Sequence, residues 1–204
     1  MHSGREWFWA DYAASVREVL AAGPDVLDVG TPVPYRKELA RIAPNGPAPR
    51  IWTLDVPEVG SNEVSVFGDA ATLPFRSECF DGAICKEVLE HVREPFLTAS
   101  ELQRVLRPGG RFFVTMIYIH PYHPGQCGDY WRFTQDAVER LFPDAELRIK
   151  RAGGWAFIGR SYVRGRLHKA LMTGPGTEAL NLVDRVLPSG NATLMHYVLG
   201  TKRA

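Results

Sequence analysis

The chain has little cysteine and no excess of charge of either sign. Its three cysteines, Cys79, Cys85 and Cys127, are odd in number and show no metal-ligand spacing, so neither a disulfide framework nor a cysteine metal module is expected. Lys and Arg number 24 against 23 Asp and Glu. That balance provides no global field toward nucleic acid or an anionic membrane, and neither is expected as a partner. No apolar run approaches the length that crosses a bilayer. The first residues lack a secretory pattern, because Glu6, Asp11, Arg17 and Glu18 interrupt their apolar positions. The expectation is a soluble, reduced, cytoplasmic protein. Its 204 residues suffice for one well-buried α/β domain and are short for two.

What is present alternates between two periodicities. Trp9, Tyr12, Val16, Val19 and Leu20 recur at helical spacing, which predicts an amphipathic helix from about residue 5 to 22, stopped by Gly23-Pro24. Val26 to Val29 is a short apolar run ending at Gly30, the pattern of a buried parallel strand feeding a turn. A short helix is expected over 35–42, then strands over 51–54, 64–67, 80–85 and 111–119. A helix-start run is read at Glu87 to His91, followed by a helix over 94–106. Such alternation implies parallel strands with right-handed crossovers. Thr134 is placed to cap a helix running to Leu141. A sixth strand is expected over 146–150, helices over 155–172 and 178–187 separated by Gly174-Pro175-Gly176, and a last strand over 192–199. No repeat or domain boundary interrupts the chain, so residues 1–204 read as one domain. It comprises an N-terminal helix (1–23), a core (24–151) and a helical insertion with a final strand (152–204).

The most informative stretch is residues 67–113. Gly68-Asp69-Ala70 forms an acidic turn, Leu73-Pro74-Phe75 an apolar staple, Phe80-Asp81 a strand start, and Glu87 to His91 the run noted above. The following helix closes on Leu106-Arg107-Pro108-Gly109-Gly110. In order and spacing this set resembles the class I S-adenosylmethionine (SAM)-dependent methyltransferases, in particular their small-molecule branch. The resemblance covers most of residues 24–151. It implies a Rossmann-like α/β fold, a seven-stranded mostly parallel sheet with helices on both faces, and a seventh strand inserted antiparallel at the sheet edge.

In open α/β sheets, ligands bind beyond the carboxyl ends of the strands near the topological switch point. The residues there are Asp28 with Gly30, Asp55, Asp69 with Ala70, and Cys85 with Lys86. The resemblance implies that Asp55 binds the cofactor's ribose hydroxyls, that Asp69 binds the adenine amine, and that Asp28 lies beneath the methionine end. Aspartates at strand ends also cap turns without any ligand. The first turn, Thr31-Pro32-Val33-Pro34, departs from the family's glycine-rich pattern. Its prolines remove two backbone donors. Two readings follow. Either the other loops hold SAM, or the fold has left methyl transfer for another reaction or for a binding role.

The segment from Ile119 to Thr134 completes the candidate site. Its Asp129-Tyr130-Trp131-Arg132-Phe133-Thr134 string resembles a bacterial subset of these enzymes tied to glycan or secondary-metabolite pathways. Tyr130 and Trp131 offer stacking surfaces, Arg132 an anion grip, and His120 or His123 a base for deprotonating a hydroxyl or amine. The alternative reading makes Trp131 and Phe133 core residues and pairs Arg132 with Asp129 as a clamp. A metal site from His120, His123 and Asp129 is conceivable, but no metal is expected, and His91 is read as structural. From Leu147 to Thr177 the chain carries seven basic residues and no acid. This stretch is read as a solvated face or a surface that steers an anionic partner.

Overall fold

Val26, Leu27 and Val29 are apolar on nearly consecutive positions, and only a strand covered on both faces can bury such a run. In the computed structural model this segment is β1 (Asp25–Val29), an interior strand of a mostly parallel sheet. The structure describes residues 4–30, 39, 41–42, 47–57, 64–125, 127–163, 165–171, 174–186 and 193–203. The expected helix over 35–42 and the Thr31-Pro32-Val33-Pro34 turn lie largely outside the described residues. The other strands are β2 (Arg50–Asp55), β3 (Val66–Phe67), β4 (Phe80–Lys86), β5 (Leu106–Ile117), β6 (Ala145–Ala152) and β7 (Met195–Lys202). Among the described residues the sheet is seven-stranded, in the order β3-β2-β1-β4-β5-β7-β6.

The expected parallel pairing of residues 26–29 with 80–85 is present, from Val26 against Gly82 to Val29 against Cys85. β7 runs antiparallel to both β5 and β6. It is therefore inserted between two strands, with β6 at the edge, rather than forming the edge itself. Buried side chains alternate between the two faces, as the two-residue period of a strand requires. Leu27, Val29, Cys85, Phe112 and Val114 enter one core, while Val26, Ile84, Phe113 and Leu199 enter the other.

α1 (Gly4–Leu20) covers the second core with Tyr12, Val16, Val19 and Leu20, the apolar stripe anticipated from spacing. α2 (Pro95–Val105) covers the first with Ala99, Leu102 and Val105. α3 (Gln135–Leu141) begins as expected, with Thr134 Oγ1 accepting the Ala137 amide at 3.3 Å. Gly200 lies flat beneath the buried Phe112 ring, and any Cβ there would overlap that ring.

Four local expectations are corrected. Residues 87–91 form turns and bends rather than a helix start. Glu87 has a positive φ of 52°, which breaks any helical continuation from β4. The Leu106 to Gly110 corner belongs to β5, where the register slips between Phe80 and Gly82 and Gly109 adopts a φ of 76°. The helix expected over 155–172 is two, α4 (Trp155–Tyr162) and α5 (Gly165–Leu171), because Val163 is extended and Gly165 has a φ of 72°. Gly174-Pro175-Gly176 is no separator but the first turn of α6 (Gly174–Val186), where a proline lacks no needed donor.

Candidate functional site

The strand order reverses between β1 and β4, and in open α/β sheets ligands bind outside the carboxyl ends of the strands at such a switch point. Gly30 leaves β1 with a φ of 66°, and its amide donates to the Leu54 carbonyl of β2 at 2.8 Å. A Cβ on Gly30 would lie 2.6 Å from Val88 Cγ2, so the turns after β1 and β4 touch directly across the switch point. Glycine is required here both for its backbone conformation and for that approach.

Each predicted strand-end residue can be located. Asp28 is fully buried in β1 and Asp55 is buried at the end of β2. Asp55 Oδ1 accepts the Val56 amide at 2.9 Å, and Asp69 Oδ1 accepts the Ala71 amide at 2.8 Å. Both aspartates thus shape their own turns, while Asp69 remains exposed. Ala70 is buried in the core. Cys85 is buried as well. Burial, with the Glu90 and Asp28 carboxylates nearby, pushes its thiol far up, so the sulfur behaves as a hydrophobe.

Opposite this row, residues 118–134 are stitched onto the turn after β4. The amides of Tyr130 and Trp131 donate to the Glu90 carbonyl at 2.8 and 3.3 Å, and Trp131 Nε1 donates to the Val92 carbonyl at 3.0 Å. Phe133 is buried, with its amide on the Ile117 carbonyl. Arg132 grips Asp129 through both terminal nitrogens, at 2.5 and 2.8 Å, and also donates to the carbonyls of His120 and Pro121. This pairing holds the Asp129 carboxyl well below the usual range. The guanidinium is built into the loop. The anion grip expected of Arg132 is occupied by a residue three positions away.

Three histidines gather beneath this loop. The rings of His120 and His123 are 4.5 Å apart, and those of His123 and His91 are 5.0 Å apart. His120 Nδ1 lies 2.9 Å from the Pro121 carbonyl oxygen, and burial lowers its pKa below 6.5. His91 Nδ1 faces the Gly128 carbonyl.

Beside them is Glu90, which sequence reasoning passed over. It is fully buried, and among the described residues no other residue donates a hydrogen bond to either carboxylate oxygen. Burial pushes this carboxyl up to about 8, with Glu87 adding to the rise and Arg132 opposing it. One donor atom from each of Glu90, His91 and His123 falls within 4.8 Å of the others. The visible signal in the chain was the adjacent Glu90-His91 pair. A continuous helix over 87–91 would have projected the two differently from the turn that is present.

Residues 51–114 match the methyltransferase domain family. Demethylmenaquinone methyltransferase of Symbiobacterium thermophilum is 33% identical over 106 residues, 44% of this chain and 41% of that protein. The Escherichia coli protein YafE is 34% identical over 88 residues, 43% of this chain and 40% of YafE. The chain thus spans about two fifths of the length of these curated relatives. Among solved structures, a chain from the complex of the Haloferax volcanii Trm112 methyltransferase activator with a methyltransferase aligns with a TM-score of 0.62. The identity is 20%, covering 98% of this chain and 91% of that one. A SAM-dependent methyltransferase from Archaeoglobus fulgidus aligns at 0.60 and 13% identity over 97% of both chains. The cyclase SpnF aligns at 0.58 and 21% identity over 95% of this chain and 81% of its own. With the strand-order reversal, the inserted antiparallel strand and the matched segment together, the chain has the fold of the class I SAM-dependent methyltransferases, and its residues 51–114 match their methyltransferase domain family.

Proposed function

We propose that the chain binds SAM across the carboxyl ends of β1 to β4 and transfers its methyl group to an oxygen or nitrogen of a small molecule. The observation that carries this reading is the row of carboxylates, Asp28, Asp55 and Asp69, ending three neighbouring strands where Gly30 lets the turn after β1 close on Val88. The donor set suits the cofactor. Asp55 would take the ribose hydroxyls, Asp69 the adenine amine, and buried Asp28 would stand under the cationic methionine end. Ala70 and the backbone at Cys85 would wall the base.

Bound SAM supplies an electrophilic methyl group, and the chain's task is to orient an acceptor and remove a proton from it. The loop over 118–134 supports both tasks. Tyr122, Tyr130 and Trp131 are exposed upon it, and His120 keeps a lone pair because its Nδ1 proton goes to the Pro121 carbonyl. A planar or sugar-related acceptor suits these aromatic surfaces. Among the described residues no helix is long and apolar enough to cross a membrane, and all three cysteines are free. Free thiols suit a reducing compartment such as the cytoplasm.

Titration calorimetry with SAM and S-adenosylhomocysteine tests the reading. Asp55→Ala should weaken binding by roughly 10- to 150-fold, the 1.5–3 kcal/mol carried by hydrogen bonds to an ionised acceptor. Equal affinity in the variant and the parent would overturn the role of Asp55, and no binding by the parent would overturn the reading. A second reading is a methyltransferase fold catalysing another reaction. The prolines at 32 and 34 favour it, as does the fold likeness to a cyclase. SAM binding without transfer to any hydroxyl or amine acceptor would select it.

A further inference from the structure

We propose that Glu90, His91 and His123 bind one divalent transition-metal ion of the zinc class. Their donor atoms already converge within 4.8 Å. Closure to roughly 3.4 Å, the separation set by bonds of about 2.0–2.1 Å at tetrahedral angles, requires only small side-chain movement.

Both imidazoles are held by acceptors at Nδ1. His91 Nδ1 faces the Gly128 carbonyl, and His123 Nδ1 lies 3.1 Å from the Pro121 carbonyl and 3.2 Å from Asp129 Oδ2. These partners only accept, so each Nδ1 carries the proton and each Nε2 a lone pair. A backbone carbonyl or carboxylate behind the distal nitrogen is the usual outer support of a metal-bound histidine. Asp129 is itself fixed by Arg132 and by the His123 amide at 2.8 Å. The support is therefore rigid, and the arginine's charge is neutralised within it.

Glu90 provides the independent observation. A carboxyl with no exposed surface and no donor from another described residue is costly to bury, and a cation held by two imidazoles beside it removes that cost. Two nitrogens and one carboxylate oxygen favour zinc over magnesium or calcium, which take oxygen ligands. Three protein ligands leave a position open for water or an acceptor oxygen, the pattern of catalytic rather than structural zinc. Only that last role rests on the methyl-transfer reading; ion binding does not.

The test uses the full chain stripped with a chelator and titrated with Co²⁺ as an optical probe, then with Zn²⁺ in competition. One equivalent of Co²⁺ should bind with visible d–d absorption and be displaced by Zn²⁺. Glu90→Gln and His123→Asn should each weaken binding at least about 10-fold, since even outer-shell losses reach that size. Far-UV circular dichroism reports folding. If Glu90→Gln fails to fold, His123→Asn, on a partly exposed loop residue, decides. The idea is overturned if the parent takes up neither metal below millimolar concentration, or if His123→Asn binds as the parent does. SAM affinity measured on the same metal-free protein separates the two questions: SAM binding without metal uptake refutes the ion alone.

Discussion

His120 and Arg132 occupy one loop, yet their surroundings assign them different work. Arg132 spends its donors on Asp129 and on the carbonyls of His120, Pro121 and Trp131. It is a positioning residue, and what it positions is the backbone that carries His120. His120 is half-buried and has its Nδ1 turned to a carbonyl. Its lowered pKa leaves the ring neutral at pH 7 with Nε2 able to accept a proton. On the proposed reading, in which His120 takes the acceptor's proton, replacing it by Asn should lower turnover by about 100- to 10,000-fold, the usual worth of a general base. SAM affinity and melting temperature should stay near the parent's. A joint loss of cofactor binding and thermal stability would mark the ring as structural instead.

At the scale of elements, α2 holds the Asp69 turn in place. Glu101 accepts from Arg104 through both oxygens, at 2.6 and 2.7 Å, and also from the Leu73 amide at 2.8 Å. Arg104 in turn donates to the carbonyls of Leu73 and Phe75 at 3.1 and 2.9 Å. The helix thus fastens the loop that follows Asp69 and sets where that carboxylate stands. The hydrogen bonds from Arg104, above all, hold the Glu101 carboxyl below its ordinary value of 4.5. A depressed carboxyl contributes stability that is complete above its unfolded value and lost as pH falls through the lower folded one. Glu101→Gln should therefore cost about 1–2 kcal/mol at pH 7, and the gap should close as the solution is acidified below about pH 4. Urea unfolding of both proteins across that range measures it. A gap that stays constant into acid would show that the charge is not what fastens the loop.

The molecule as a whole is held from the end of the sheet opposite the strand-end carboxylates. There Asp81 accepts the Asp25 amide at 3.0 Å and Arg107 at 2.5 Å, while Asp25 receives Arg50 and Trp52 Nε1. These bonds lock the amino ends of β1, β2 and β4 together, and the carboxyl ends are left to carry the variable turns. Burial is uneven. Phe112, Phe113, Val114 and Val198 are completely buried in β5 and β7, whereas Tyr162, Leu167, Leu182 and Val186 on α4 to α6 are more than half exposed. Amide hydrogen exchange should therefore be slowest in β1, β4, β5 and β7, opening only with global unfolding at roughly 5–15 kcal/mol. Amides of α4 to α6 should exchange through local openings of lower free energy. Equal protection in the two regions would show that the helical segment is as firmly packed as the sheet.

Residues 26–29, 51–54 and 80–85 announce their strands by apolar runs too short for helices, and the Tyr12 to Leu20 stripe announces α1, because these periodicities are local. The Thr134 cap and the three strand-end aspartates are legible for the same reason, since each depends on a few adjacent residues. The place of β7 between β5 and β6 is not, because inserting a strand depends on pairing with residues some 80 positions earlier in the chain, such as Val198 with Val114. The turn at 87–91 escaped as well. Glu87 takes its positive φ while its amide bonds to Thr115 on the neighbouring strand, a partner that no local pattern records. The same holds for Glu90, His91 and His123. Their types were visible in the chain, but only the stitching of the 118–134 loop onto the turn after β4 brings a buried carboxyl to face two imidazoles. Local backbone preference wrote the elements; long-range hydrogen bonds and burial chose which side chains meet.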